Sequence, residues 1–365
     1  MGGAWRWSLV AIVGFAGVLL GGCLGGNECM CLSGPCQCSA PVTVTPTPAE
    51  TYDEVAGTWF VAGAMSTARS DAPATLLHSG KVLVAGGFGG EFGDAVQNTA
   101  ELYDPATTKW TLTGSLPGER YEHTATLLPS GEVLVVGGGG LGGATSAILY
   151  HPQSGTWSPT GSLATERAGH TATLLQSGKV LVAGGWWSSG DLASAEMYDP
   201  QSGTWSPTGS LASGRAGHTA TLLPSGKVLV AGGCGSSNTA ELYEPGPGTW
   251  SPTGSLAEGR CNHVAVLLTS GKVVVVGGGP PTIEIYDPAS GGWQPGGSFP
   301  PGGGYLSAAR LASDNVLVVG GSSAELYDAQ AGSWTPTGFL SYERSANPLT
   351  VLQSGQVLVS NNPLR

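Results

Sequence analysis

Short apolar runs separated by glycine-rich turns recur along most of this chain. In the stretch that begins at Arg215, HTATLL and KVLVAGG are rich in β-forming residues, and PSG between them marks a tight turn. KVLVAGG is almost continuously apolar, which indicates a strand covered on both faces. AELYEP and GTWSPTG follow and predict two more strands. The pattern therefore predicts four antiparallel strands, here named A to D in chain order.

This unit is repeated along the sequence, as its aromatic residues show. Tryptophans of strand D recur every 41 to 51 residues, at Trp59, Trp110, Trp157, Trp205, Trp250, Trp293 and Trp334. Tyrosines of strand C recur at Tyr52, Tyr103, Tyr150, Tyr198, Tyr243, Tyr286 and Tyr327. A period of this length with strand-like content favours a propeller over a helical solenoid.

The order of the half-repeats predicts how the array closes. The first C–D pair, AETYDEVAGTWFVAG, precedes every A–B pair, and the last A–B pair, ending in VLVS, has no C–D pair after it. We therefore expect the N-terminal C–D strands to complete the C-terminal blade, which removes exposed sheet edges. The predicted fold is all-β: a seven-bladed β-propeller of four-stranded antiparallel blades over residues 49–365.

A strand ending in Gly-Gly, then a tyrosine, then a tryptophan, in tandem, resembles the kelch repeat family. The variant R-x-x-H-x-A-x-L-L, followed by a glycine turn and V-(L/F)-V-x-G-G, is similar to the propeller domain of galactose-oxidase-like proteins. The resemblance covers Ala49 to about Val359 and implies the same propeller fold.

Composition and charge narrow the function. The chain has 61 glycines and 25 prolines, only 11% charged residues, and a net charge of −11. Its lysines and arginines are scattered, whereas binding to nucleic acid needs clustered cations. We therefore expect no nucleic-acid partner, and expect the acidity to favour solubility.

Residues 1–22 are predicted to be a signal peptide. Arg6 precedes a short apolar segment, and Leu20-Gly21-Gly22-Cys23 is similar to a bacterial lipobox. That resemblance implies cleavage before Cys23, its acylation, and membrane anchoring; an ordinary signal peptide is the alternative. Leu24 follows, as in lipoproteins sorted to the outer membrane, so a bacterial cell-envelope location is expected. Residues 23–48, rich in cysteine and then in proline and threonine, are expected to be a tether.

The other six cysteines suggest disulfides because secretion implies an oxidising compartment. In the tether, Cys29, Cys31, Cys36 and Cys38 allow three pairings, and a zinc site is the alternative reading. Cys234 and Cys261 are expected at one rim of the propeller. An inter-blade disulfide and two free thiols are both consistent with that position.

Residues present in nearly every repeat are interpreted as scaffold. Six arginines precede strand A and six glutamates lie in strand C, which suggests charge pairing; an arginine ring that captures an anionic ligand is the alternative. Histidines recur at His123, His170, His218 and His263. Symmetry would separate them by whole blades, so we expect scaffold hydrogen bonds and no metal site.

Aromatic residues outside the repeat pattern are the better candidates for binding. They fall in B–C loops or where strand D leads into the next strand A, and both connections are expected at one rim. These rim residues are Phe88, Phe92, Tyr121, Trp186, Trp187, Tyr305 and Tyr342. Such aromatic anchors suit a protein or glycan ligand. Side chains folded onto their own loops are the alternative.

The predicted function is a lipid-anchored, monomeric binding module with neither cofactor nor catalytic residues. The alternative is an envelope enzyme acting on carbohydrates or alcohols. Resemblance to galactose oxidase implies copper held by Tyr and His ligands and a Tyr–Cys crosslink. Tyr305 occupies one crosslink position, whereas Cys261 lies one position early, and the family's C-terminal domain with further ligands is not expected here. Copper chemistry is therefore disfavoured.

Overall fold

A computed structural model describes residues 46–89, 95–235, 238–299, 306–344 and 348–360, and the backbone of 29–30 and 37–38. Within the range 306–344, only the backbone of residues 343 and 344 is described. The chain divides into two compact units, Met1–Thr43 and Val44–Arg365. In the first unit, strands β1 (Cys29–Met30) and β2 (Gln37–Cys38) pair antiparallel, with Cys29 opposite Cys38.

The second unit contains the remaining described strands. The first of them are β3 (Glu50–Asp53), β4 (Thr58–Val61), β5 (Arg69–Ser70), β6 (Ala74–Leu76), β7 (Val82–Ala85), β8 (Phe88–Gly89), β9 (Ala95–Val96), β10 (Ala100–Asp104), β11 (Lys109–Thr113), β12 (Thr124–Leu127), β13 (Val133–Val136), β14 (Ala147–His151) and β15 (Thr156–Pro159). Next come β16 (Thr171–Leu174), β17 (Val180–Ala183), β18 (Trp186–Trp187), β19 (Gly190–Asp191), β20 (Ala195–Asp199), β21 (Thr204–Thr208), β22 (Thr219–Leu222), β23 (Val228–Ala231), β24 (Ala240–Glu244) and β25 (Thr249–Thr253). The last are β26 (Val264–Leu267), β27 (Val273–Val276), β28 (Thr282–Asp287), β29 (Gly292–Ser298), β30 (Ser307–Arg310), β31 (Val316–Asp328), β32 (Ser333–Arg344), β33 (Leu349–Val351) and β34 (Val357–Val359).

The repeats form antiparallel sheets, numbered here along the chain. Their strand orders are β6-β7-β10-β11 (sheet 1), β12-β13-β14-β15 (sheet 2), β16-β17-β20-β21 (sheet 3), β22-β23-β24-β25 (sheet 4), β26-β27-β28-β29 (sheet 5), β30-β31-β32 (sheet 6) and β33-β34-β3-β4 (sheet 7). The predicted all-β fold of four-stranded antiparallel sheets is confirmed for six of these, and the described residues form no α-helix.

Sheet 6 departs from the four-strand pattern. Its β31 runs from Val316 to Asp328 and combines the predicted strands B and C in one strand. Few residues separate the apolar run that ends at Val319 from strand C, so the chain continues with register shifts near Gly321 and Ser323 where other repeats have a loop.

Sheet 7 brings together the two ends of the second unit. Strand β3 pairs with β34, with Glu50 opposite Val359 and Tyr52 opposite Val357. The first strands of successive sheets also contact one another in the order β6, β12, β16, β22, β26, β30 and β33, and β33 contacts β6.

The core lies between neighbouring sheets. The apolar strand B of each sheet is buried, as its continuous apolar sequence predicts, although in sheet 6 it is only the first part of β31. Between sheets 2 and 3, for example, Leu134 and Val136 pack against Val180, Val182 and Tyr198.

Polar contacts join the same seams at their outer side. In sheets 2 to 5, the tryptophan donates its indole N–H to a glycine carbonyl of the preceding sheet, as Trp157 does to Gly114 at 2.6 Å. In the same four sheets, the tyrosine hydroxyl lies within hydrogen-bond distance of a threonine of the preceding sheet, as in the Tyr150–Thr113 pair at 2.7 Å. In these four sheets, the polar atoms of both rings are therefore satisfied.

Among the described residues, no helix has the length and apolarity to cross a bilayer.

Candidate functional site

Buried arginine–glutamate pairs fix the base of one rim. Each pair joins the arginine before strand A to the glutamate of strand C in the same sheet. The described pairs are Arg69–Glu101 (3.0 Å), Arg167–Glu196 (3.0 Å), Arg215–Glu241 (2.8 Å) and Arg260–Glu284 (3.1 Å). The predicted charge pairing is confirmed in these four sheets. An anion-capturing ring has no support there, because the guanidinium groups are buried and already bonded.

Each pair ties together the connections that form the rim. In sheet 3, Arg167 donates to the carbonyl oxygens of Gly184 and Ser194, at 2.7 and 3.1 Å. Glu196 also accepts the backbone N–H of Ala164 at 2.8 Å. Burial lowers the pKa of Arg167, and its bond to Glu196 opposes that shift. The loops of the rim therefore start from rigid points.

Sheet 2 lacks this carboxylate. Ile148 stands at the glutamate position, and Pro117, which has no N–H, stands where Ala164 donates in sheet 3. Arg120 instead donates to the Ser146 hydroxyl at 2.8 Å and to backbone carbonyls. Burial without a carboxylate partner lowers the pKa of Arg120 to about 10.

The residue two positions after the arginine takes the left-handed backbone conformation in sheets 1 to 5, a feature that sequence reasoning missed. Its φ values are 49° at Asp71, 51° at Glu122, 57° at Gly169, 60° at Gly217 and 55° at Asn262. A glutamate in this region is uncommon. Glycine stands at this position in two of the five aligned copies, and this was the signal in the sequence that could have predicted the conformation. These residues lie at the rim, where Asp71 and Glu122 are partly buried. That burial raises the pKa of the Asp71 and Glu122 carboxyl groups.

Two pairs of predicted rim aromatics come together. Phe88 and Tyr121 approach to 4.2 Å between ring centroids, and Trp186 and Trp187 stack at 6.2 Å. Trp186 donates its indole N–H to Glu122 at 2.8 Å and remains 37% exposed. This bond spans sheets 2 and 3, so it fixes the orientation of an exposed aromatic surface.

Small rim strands carry these aromatics. Ser70 of β5 pairs with Phe88 of β8, and isolated bridges join Tyr121 to Gly139 and Ala168 to Trp186. Each contact joins the connection before strand A to the B–C loop, so both loop types lie at one rim.

The remaining predicted rim residues are Tyr342, Phe92 and Tyr305. Tyr342 lies in β32 and is 41% exposed. Phe92 and Tyr305 lie outside the described residues.

A disulfide joins Cys234 and Cys261, with 4.6 Å between their Cα atoms. It links the B–C loop of sheet 4 to the start of sheet 5. Cys23, Cys31 and Cys36 lie outside the described residues, as do the side chains of Cys29 and Cys38.

The repeated histidines are scaffold. All four are buried, and Nε2 of His170, His218 and His263 lies 2.9 to 3.0 Å from a threonine hydroxyl of the preceding sheet. His123 has no such partner because Pro73 replaces the threonine. Burial lowers the pKa of His170 to about 3, and Arg167 and neighbouring histidines add to the effect.

The turns at the opposite edge of sheets 1 and 2 line a cavity of about 620 Å³. Glu132 and His151 lie in its wall, 2.8 Å apart, and His151 also contacts the Ser158 hydroxyl at 2.7 Å. This order of groups resembles an acyl-transfer triad. However, Ser158 does not line the cavity, and the following Pro159 has no N–H to stabilise an oxyanion. We assign the cluster no catalytic role.

The model of the KLHDC2/KLHL20/DRC7 Kelch-repeats domain matches residues 72–279, more than half of the sequence. The chain belongs to the Kelch-repeat family. Among solved structures, it is similar to a copper complex of a novel fungal alcohol oxidase with catalytic diversity among the AA5 family. The two share 19% identity, with a TM-score of 0.66 over 81% of this chain and 74% of the oxidase. This likeness shows the fold alone. No curated protein matches.

The described residues of this Kelch-repeat chain do not fit the copper centre that the galactose-oxidase resemblance implies. Cys261, nearest the crosslink position, is bonded to Cys234. The buried histidines lie in separate seams between sheets. The described part of the chain has no group of three His, Cys, Asp or Glu side chains placed to hold a metal ion.

Proposed function

We propose that this protein is a lipid-anchored binding module of the bacterial cell envelope, which recognises a protein or a glycan through its aromatic rim. The observation that carries the proposal is the exposed Trp186, held by Glu122 of the neighbouring sheet beside Trp187. An oriented aromatic surface supplies contact area at little cost in side-chain entropy. Kelch domains generally mediate protein binding, which supports the same reading.

The proposed architecture is a closed, seven-bladed propeller over residues 49–365. The pairing of β3 with β34 and the cyclic contacts of the first strands support this number and closure. Closure would place the loops that carry Phe88, Tyr121 and Trp186 on one continuous surface.

The proposed anchor is acylated Cys23, after a signal peptide over residues 1–22 and before a tether over residues 23–48. The lipobox-like Leu20-Gly21-Gly22-Cys23 supports it. The envelope location, with the outer membrane favoured, and the monomeric state belong to the same proposal.

Ligand capture tests the rim. The full acylated protein in detergent is incubated with envelope extract, and bound proteins and glycans are identified after crosslinking. Changing Trp186 and Trp187 to Ala should abolish specific capture because it removes the oriented aromatic pair. A matched control is Val55→Ser, which alters a 99% exposed apolar residue of a C–D turn. Capture that survives the double change rules out this rim.

Two further measurements separate the remaining parts. Mass spectrometry should find acyl chains on Cys23, and Cys23→Ala should release the protein from membranes without changing capture. Turnover of galactose or a primary alcohol by the copper-treated protein would favour the enzyme alternative instead.

A further inference from the structure

Five outer strands carry a proline at the same place, two residues after the repeat tryptophan. These prolines are Pro159 in β15, Pro207 in β21, Pro252 in β25, Pro295 in β29 and Pro336 in β32. Strands β4 and β11 have Val61 and Leu112 at the equivalent positions. Natural sheets use edge prolines to prevent pairing with another chain. Strands β4 and β11 therefore lack the proline that protects the free edge of the other five outer strands.

The backbone N–H at this position points away from its own sheet. Pro207 keeps its register opposite Glu196 without an N–H to donate, so the sheet does not use the N–H at this position of the outer strand. Leu112 occupies the same position opposite Glu101. In sheet 7, Ala62 donates to Ala49, so the alternation of an antiparallel pair turns the N–H of Val61 outward. In the described part of the chain, no strand lies beyond β4 or β11.

Apolar side chains accompany these free backbone groups. Phe60, Val61 and Leu112 are 49%, 60% and 64% exposed. Sheets 7 and 1 are neighbours through the contact of β33 with β6, so β4 and β11 are the outer strands of two adjacent sheets. Exposed apolar residues on an edge without this proline are typical of a surface that pairs with another strand.

We propose that β4 and β11 form a docking surface for an extended segment of a partner protein, which adds to either edge as a β-strand. The free N–H and C=O groups would supply affinity, and the exposed apolar residues would contact alternate side chains of the segment. The occupant is a neutral or basic segment, because two copies of a chain with net charge −11 repel each other. This surface is distinct from the aromatic rim and does not depend on it.

The test uses a labelled peptide of about nine residues, alternating valine and threonine with lysine at each end. Its binding to the full protein is measured by fluorescence anisotropy, and protection of the Val61 and Leu112 amides by hydrogen exchange. The same peptide with alternate backbone nitrogens methylated cannot pair and should not bind. The combined change Val61→Pro and Leu112→Pro should weaken binding about tenfold or more.

Matched variants guard against misfolding and against the wrong surface. The proline variant reproduces the residue found in five other sheets, so it should keep the wild-type circular dichroism spectrum. Pro207→Leu should open a new edge on sheet 3 and increase peptide binding. Changing Trp186 and Trp187 to Ala should leave peptide binding intact.

Three results would overturn the proposal. The wild-type protein could fail to bind the pairing-competent peptide, or the proline variant could bind it as tightly as wild type. Alternatively, the wild-type protein could self-associate in sedimentation, lose that association in the proline variant and ignore the peptide. The edges would then pair with a second copy.

Discussion

At the scale of single residues, the buried arginines depend on what surrounds them. Arg167 is buried together with Glu196, which also accepts a backbone N–H. In sheet 2, the glutamate and that N–H are both absent, because Ile148 and Pro117 replace their sources. Because the carboxylate and the backbone N–H that donates to it are absent together, no backbone N–H is left without its acceptor. Losing only one of the two would bury an unpaired polar group.

We predict that Arg167→Met destabilises the protein more than Arg120→Met. The first change leaves the Glu196 carboxylate buried without its cation, which costs about 3–5 kcal/mol. The second leaves the Ser146 hydroxyl and carbonyl oxygens without a donor, at about 1–3 kcal/mol. Urea unfolding of both variants measures the difference. Equal losses would show that the carboxylate is not what determines the cost.

The sequence was informative for residues that repeat and less so for the rim. Seven copies of a tyrosine and a tryptophan identify buried and partly buried positions, because each ring packs between two neighbouring sheets. The bond from Trp186 to Glu122 joins residues 64 positions apart in different repeats. No periodicity predicts such a contact, since it depends on loops that differ between copies.

At the scale of elements, the seam between sheets 7 and 1 lacks contacts present elsewhere. The Tyr150–Thr113 contact has no equivalent at Tyr103, because Ala62 replaces the threonine. The indole N–H of Trp110 is buried without a hydrogen-bond partner among the described residues. This seam is therefore held mainly by apolar packing.

We predict that Ala62→Thr stabilises the protein by about 1 kcal/mol, because the new hydroxyl reaches Tyr103. Thr113→Ala removes the matching contact from the seam between sheets 1 and 2 and should destabilise by a similar amount. Chemical unfolding compares both with wild type. A loss of stability in Ala62→Thr would mean that this seam has no room for the larger side chain.

Strand positions were largely predictable, since the apolar run of strand B and its flanking turns are local signals. The long β31 was not predicted, because its continuity depends on a connection too short to leave the sheet. The small rim strands β8 and β18 were missed as well. They form through pairing with the connections before strand A, which is a tertiary effect.

At the scale of the whole molecule, the buried histidines link folding to pH. Burial lowers the pKa of His123, His170 and His218 to about 3 and that of His263 to about 4. In an unfolded chain the histidine pKa is about 6.5. As pH falls, the histidines of the unfolded chain are thus protonated at a higher pH than those of the folded protein. The stability is fully present above about pH 6.5 and decreases as pH falls toward about 3.

We predict that His218→Asn makes the free energy of unfolding less dependent on pH between about 6.5 and 4. Each such histidine contributes at most about 1.4 kcal/mol per pH unit. Urea unfolding across this range measures the slope. Identical slopes for His218→Asn and wild type would contradict the assignment.

Sheet 7 has a consequence for the time at which the protein can finish folding. Asp53 and Gln356, which share a hydrogen bond there, are 303 residues apart in the chain. During synthesis, β3 emerges early and has no partner until β34 has also been made. For an exported chain, both must also have been delivered to the same compartment. A ribosome that stops early thus releases a product with an incomplete last sheet, which quality-control proteases can recognise.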